Sequence, residues 1–108
     1  MKKIIILTST LALLSTPVLA ETPVFEIVIK DHKFNPANVE IPAGQKVKLV
    51  IKNQDPTPEE FESHDFNREK VISGNSEGIV FVGPLDAGEY KFFGEFHEKT
   101  AQGKLVVK

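Results

Sequence analysis

Apolar and polar positions alternate along most of the chain after residue 23, and the alternation has period two. Phe25, Ile27 and Ile29 are interleaved with Glu26, Val28 and Lys30, which predicts a strand with one strongly apolar face. Phe34-Asn35-Pro36 interrupts the pattern. Val39-Glu40-Ile41 predicts a second short strand, closed by the turn signal Pro42-Ala43-Gly44. Val47, Leu49 and Ile51 alternate with Lys48 and Lys52 in a third strand, Val50 being the exception. A long polar stretch follows from Asn53 to about Asp65, with Pro56, Pro58, Asp55, Glu59, Glu60 and Glu62 in it. Phe66–Ile72 alternates more weakly, and Ile79–Val82, Tyr90–Phe93 and Lys104–Val107 complete a set of about seven strands. Short strands separated by frequent turn signals predict an all-β Greek-key sandwich. No long stretch has helical periodicity. Leu85-Asp86-Ala87-Gly88-Glu89-Tyr90 has the form of a tyrosine corner, or else Tyr90 is one strand aromatic among several.

The first twenty residues stand outside this pattern. Met1-Lys2-Lys3 is basic, Ile4–Leu14 is apolar apart from Thr and Ser, and Val18-Leu19-Ala20 offers small residues for cleavage. This reads as a secretory signal peptide at 1–20, leaving a domain at 21–108. The competing reading is an uncleaved anchor, but the apolar run is shorter than the ~20 residues that span a bilayer. The expected location is therefore the periplasm, with no membrane span after cleavage. Loss of Lys2 and Lys3 leaves 11 basic against 15 acidic residues, a net charge of −4. An acidic domain without a basic cluster excludes nucleic acid as a partner and favours cations.

Composition narrows the chemistry. The chain has 108 residues and no cysteine, which excludes disulfides, thiol catalysis, iron–sulfur clusters and thiolate-bound copper or zinc. There is no Gly-x-Ser-x-Gly elbow and no phosphate-binding glycine loop, and a domain of this size lacks room for a sugar cleft. No catalytic residues are assigned, and an enzyme is not expected.

Phe34-x-Pro36, Val39-x-Ile41-Pro42-x-Gly44 and Val47 to Ile51-Lys52-Asn53-x-Asp55 together resemble the first half of a cupredoxin. Gly88-x-Tyr90-x-Phe92-Phe93-Gly94-x-x-His97 with Gly103-x-Leu105-Val106-Val107 resembles the second half. Pro58-Glu59-Glu60-Phe61-Glu62-Ser63 and the string from Phe92 to Gly103 look more closely like the cupredoxin-like domain of the bacterial Efe/Ftr-type iron uptake group. A blue copper site uses two His, a Cys thiolate and an axial Met. The resemblance puts the Cys position on Gly94 or Glu95, the His position on His97 and the Met position on Ala101. The region of the other His offers Glu60, Glu62 and His64. A type-1 blue centre is therefore chemically excluded.

Carboxylates with one or two imidazoles suit Fe(III), Fe(II), Mn(II) or Cu(II) in an N/O field. The metal site implied by the resemblance comprises Glu60, Glu62, Glu95, His97 and Glu98, with iron or copper as the ion. Each of these residues also has a plainer reading. Thr57-Pro58-Glu59-Glu60 has the form of a helix capping box, and exposed Glu runs are commonly just solvated. His97 alone would be a surface imidazole, and His32, between Asp31 and Lys33, reads as surface and remote from the site. The expected function is that of a periplasmic metal-binding accessory of iron or copper uptake, working with an inner-membrane iron permease or another periplasmic uptake component. The alternatives are a copper-scavenging or resistance protein and a metal-free interaction module. Since no thiolate exists, the Cu(II)-loaded protein is expected to lack the intense blue charge-transfer band. A visible absorption spectrum checks this.

Overall fold

The computed structural model describes residues 21–108. The signal peptide expected at 1–20 lies outside the described residues. Among the described residues, nine strands run in chain order as β1 (Val24–Lys30), β2 (Lys33–Asn35), β3 (Asn38–Ile41), β4 (Val47–Asn53), β5 (Glu59–Ser63), β6 (Arg68–Ile72), β7 (Ser76–Val82), β8 (Gly88–Gly94) and β9 (Gln102–Val107). A 3-10 turn, Glu95–His97, follows β8 on the way to β9. The strands form two sheets, ordered β2-β1-β4-β7 and β3-β9-β8-β5-β6. The pairs β1–β4 and β3–β9 are parallel, and the others are antiparallel. Parallel strands cannot be joined by a tight hairpin, and each of these two pairs is linked by a longer crossover.

The expected all-β sandwich is the observed fold, with two strands more than the periodicity predicts. The additional strands are β2 and β5. β2 has only three residues, too few to display a period, and pairs with β1 through the two-residue turn Asp31-His32. β5 reads Glu-Glu-Phe-Glu-Ser and carries one apolar side chain, yet it lies between β8 and β6. The capping-box reading of Thr57–Glu60 is superseded, because the chain enters a strand at Glu59.

The core follows the alternation. Ile27, Ile29, Val47, Leu49, Ile51, Phe92 and Leu105 are buried, as expected, while Phe25 is half-buried at the edge of the cluster. Phe34, Phe61, Phe66 and Phe92 form an aromatic centre. The rings of Phe61 and Phe92 stand 5.0 Å apart, and Phe34 meets Phe92 edge-on at 5.0 Å. β6 shows weak alternation because it is a sheet edge with only Ile72 buried. Tyr90 donates its hydroxyl to the Asp86 carbonyl at 2.9 Å, so the tyrosine corner is formed.

The period-two rule then divides β5. Phe61 points into the core, so Glu60 and Glu62 project from the opposite face of the sheet. Glu59 lies on the same side as Phe61, at the end of the sandwich. Truncation at the aromatic centre should be costly: Phe61→Ala is expected to lower stability by about 3–5 kcal/mol, measured by urea denaturation.

Candidate functional site

The end of the sandwich beyond β5 and β8 holds two groups of polar side chains. The first is built on Glu59, whose side chain is 2 % exposed. Its Oε1 accepts the backbone N–H of Glu60 at 3.0 Å and that of Phe96 at 2.9 Å. Its Oε2 meets His97 Nδ1 at 2.6 Å. A carboxylate oxygen only accepts, so Nδ1 carries the hydrogen and Nε2 is left free. These bonds tie the start of β5 to the 3-10 turn, and they explain how a Glu is tolerated in the interior.

The place that Glu59 occupies is available only because residue 94 is glycine. A Cβ on Gly94 would lie 2.6 Å from Glu59 Cδ and 2.7 Å from both Glu59 Oε2 and Ala101 Cβ. The carboxylate therefore fills the space that a side chain at 94 would need.

His97 is also stacked. Its ring lies 3.6 Å from that of His32, centre to centre, with the planes 13° apart. The expectation that His32 is remote from the site is thus corrected. β1 and β2 turn back on each other at Asp31-His32, and this hairpin tip reaches the 3-10 turn. Both turn residues have left-handed backbones, with φ of 51° and 58°. For residues other than glycine this costs about 1–2 kcal/mol each. Asp55 offsets that cost: its carboxylate accepts the amides of Asp31 at 2.8 Å and His32 at 2.9 Å. Its Oδ2 also lies 3.5 Å from His32 Nδ1. Burial works to raise the Asp55 pKa, but the two amides together with the nearby charges of His32 and Lys30 outweigh it and hold the group below its ordinary value.

The second group is on the outer face of the sheet. Oxygen atoms of Glu60, Glu62 and Glu95 all lie within 4.8 Å of one another. Glu69 of β6 stands directly opposite Glu62, a like-charge cross-strand pair. Crowding of this kind favours a bound proton. Hydrogen bonding to Glu95, then to Glu69, pushes the Glu60 carboxyl up from 4.5 to about 7, with burial adding to it. Glu62 is raised as well, first by burial and then by the charge of Glu95. Of the residues implied by the resemblance, Glu60, Glu62 and Glu95 are therefore brought together. His97 is bonded to Glu59 instead, and Glu98 is exposed nearby. His64 lies beyond the end of β5, its ring 5.4 Å from that of Phe93. Sequence reasoning passed over Glu59 and His32 as ligand-region residues. The signal available for Glu59 was its place at the foot of β5, two residues before the core Phe61.

The profile of the family described as "Cupredoxin-like domain" matches residues 3–107. This chain belongs to the cupredoxin-like domain family. A protein of Rickettsia prowazekii (strain Madrid E), called uncharacterized protein RP394, is 49 % identical over 82 residues, which is 76 % of this chain and 66 % of that protein. Among solved structures, auracyanin A of Chloroflexus aurantiacus, a "blue" copper protein, is similar at a TM-score of 0.70 and 20 % identity, covering 82 % of this chain and 100 % of that one. The metal-binding domain of the Streptococcus pneumoniae D39 Cu(I)-exporting P-type ATPase CopA, solved with Cu(I), is similar at a TM-score of 0.70 and 16 % identity, over 79 % of this chain and 84 % of that one. A purple cupredoxin from Nitrosopumilus maritimus is similar at 0.58 and 23 % identity, over 77 % and 98 %. At these identities the likeness establishes the shared fold.

The blue copper centre of the family does not fit this cupredoxin-like domain. Gly94 and Ala101 supply no ligand, and the carboxylate of Glu59 fills the space a side chain at 94 would require. This end of the sandwich carries an imidazole–carboxylate pair inside and a carboxylate cluster outside. That cluster carries a pH signature. Because the folded pKa of Glu60 is raised, its stabilising contribution is complete below about pH 4.5 and is lost as pH rises through about 7. Asp55, held low, loses its contribution only on acidification below its ordinary 3.8. The metal-free protein is therefore expected to lose melting temperature from about pH 4.5 to 7, and Glu60→Gln should flatten that slope. Thermal denaturation across the range checks this.

Proposed function

We propose that this cupredoxin-like domain is an exported metal-binding protein that holds its ion through oxygen ligands rather than sulfur. The observation that carries the reading is the convergence of Glu60, Glu62 and Glu95. Three carboxylates this close repel one another when ionised, and a cation removes that repulsion where a proton otherwise would. Glu98 adds to the negative potential felt by Glu62. An oxygen set of this kind suits hard and borderline ions.

Copper(II) is the first candidate. It stands highest in affinity among divalent first-row ions at such ligands, and copper is named for several structures of similar fold. Iron(III) is the second, supported by the hard oxygen donors and by the resemblance of the Phe92–Gly103 string to iron uptake proteins. On that finer reading the domain works in the periplasm as an accessory that delivers its ion to an inner-membrane permease. It binds and hands on an ion, and it does not transform a substrate.

Calorimetric titration with Cu(II) and with ferric citrate tests the proposal. The Glu60→Gln/Glu62→Gln variant is expected to bind more than about tenfold more weakly than wild type. Wild-type affinity should fall as pH is lowered through about 7, because each ligand must lose its proton. If wild type binds neither ion, the protein is an interaction module that keeps the sandwich without the metal.

A further inference from the structure

We propose that the groove beside the carboxylate cluster binds a small hydroxy-polycarboxylate, so that the domain takes its ion as an anionic chelate of the citrate type rather than as the bare cation. This rests on the oxygen-ligand reading above and adds to it the molecule that brings the ion.

Strand register puts the groove on the outer face of the five-stranded sheet. Glu62, Phe93 and Gln102 stand side by side on β5, β8 and β9. Lys91 faces Lys104 one step further along the same face. His64 and Glu98 also line the groove, whose volume is about 690 Å³. That lies within the range of small-molecule sites, about 300–1,000 Å³.

The face is divided by charge. Glu60, Glu62 and Glu95 lie at one end. Lys91 and Lys104 lie at the other, with the half-buried ring of Phe93 between. Glu62 and Lys91 are diagonal neighbours, about 7–8 Å apart at the backbone. Glu98 and His64 line the groove and also act through their charge on the Glu62 carboxyl, so groove and cluster are contiguous.

The lysine end is held in place. Ser63 donates its hydroxyl to the Lys91 carbonyl at 2.6 Å, and the Lys91 amide donates to Asp65 at 2.7 Å. These side chains take over where the β5–β8 ladder ends at Glu62 and Phe93. Lys104 Nζ lies 2.5 Å from Glu89 Oε1, which leaves it further N–H donors. Lys91 enters no ion pair among the described residues.

Lysines beside a cation site oppose a bare cation and favour one that arrives wrapped in negative charge. A hydroxy-polycarboxylate holds a hard ion through some of its oxygens and leaves other charged oxygens at its edge. Glu60 and Glu62 then take positions on the ion held by water. The remaining carboxylate reaches Lys91 and Lys104 through charge-assisted hydrogen bonds, the stronger class of such bonds. Phe93 covers the carbon frame. Ferric ion hydrolyses and precipitates at neutral pH, so a chelate is also the form in which it stays in solution.

Equilibrium dialysis against Fe(III) with radiolabelled citrate tests this, with both iron and citrate counted on the protein. Titration with bare Cu(II), done first, decides the oxygen-ligand reading by itself. Wild type should retain citrate together with iron. Lys91→Met/Lys104→Met should weaken retention of the chelate about tenfold or more, yet bind bare Cu(II) at least as tightly as wild type. Lys48→Met/Lys52→Met removes the same charge from β4 in the other sheet and should retain the chelate as wild type does. The proposal is overturned, and the oxygen-ligand reading kept, if wild type takes up iron and leaves the citrate in solution. It is overturned equally if the Lys91/Lys104 variant retains the chelate like wild type, or if the Lys48/Lys52 variant loses it to the same extent.

Discussion

A carboxylate in the interior has to be hydrogen-bonded, and the way Glu59 meets that requirement organises this end of the molecule. Two backbone amides and one imidazole converge on it. Those three bonds join the beginning of β5 to the turn after β8. They hold the His97 ring in one tautomer, and they use the space that Gly94 leaves open. Without the glycine the carboxylate would have no room. Without the carboxylate, the Phe96 amide and the His97 ring would lose their buried acceptor.

Placing Glu59 on the core side has a consequence on the other side of the sheet. Because side chains alternate along a strand, an inward Glu59 and Phe61 force Glu60 and Glu62 outward. There they meet Glu95 from the turn and Glu69 from the edge strand. The resulting crowding of carboxylates raises the proton affinity of Glu60. The inner pair and the outer cluster are two products of one register.

The hairpin tip at Asp31-His32 shows the same economy of buried carboxylates. Asp55 follows Asn53, whose side-chain oxygen accepts the Asp55 amide at 3.0 Å and whose own amide nitrogen reaches the Thr57 and Ile72 carbonyls. Asp55 is thus fixed from its own side before it clamps the two left-handed residues of the turn. The stack of His32 on His97 depends on this chain of contacts, which runs from the interior of β4 to the surface.

Most strands were legible in the sequence because a half-buried strand must alternate, and Ile27, Ile29, Val47, Leu49, Ile51 and Leu105 do so. The absence of cysteine likewise settled that no thiolate copper centre exists, since that is a matter of composition. The acidic residues of the outer cluster could be named, because Glu60, Glu62 and Glu95 fall at or beside the ligand positions that the cupredoxin resemblance implies. β5 itself could not be read, since Glu-Glu-Phe-Glu-Ser looks like solvated loop until amide donors from another part of the chain satisfy Glu59. His32 was equally hidden: nothing between Asp31 and Lys33 shows that a left-handed hairpin will carry its ring onto His97. Local periodicity determines which side of a strand a residue occupies. Which distant donors and rings meet a buried carboxylate is decided only when the two sheets close on each other.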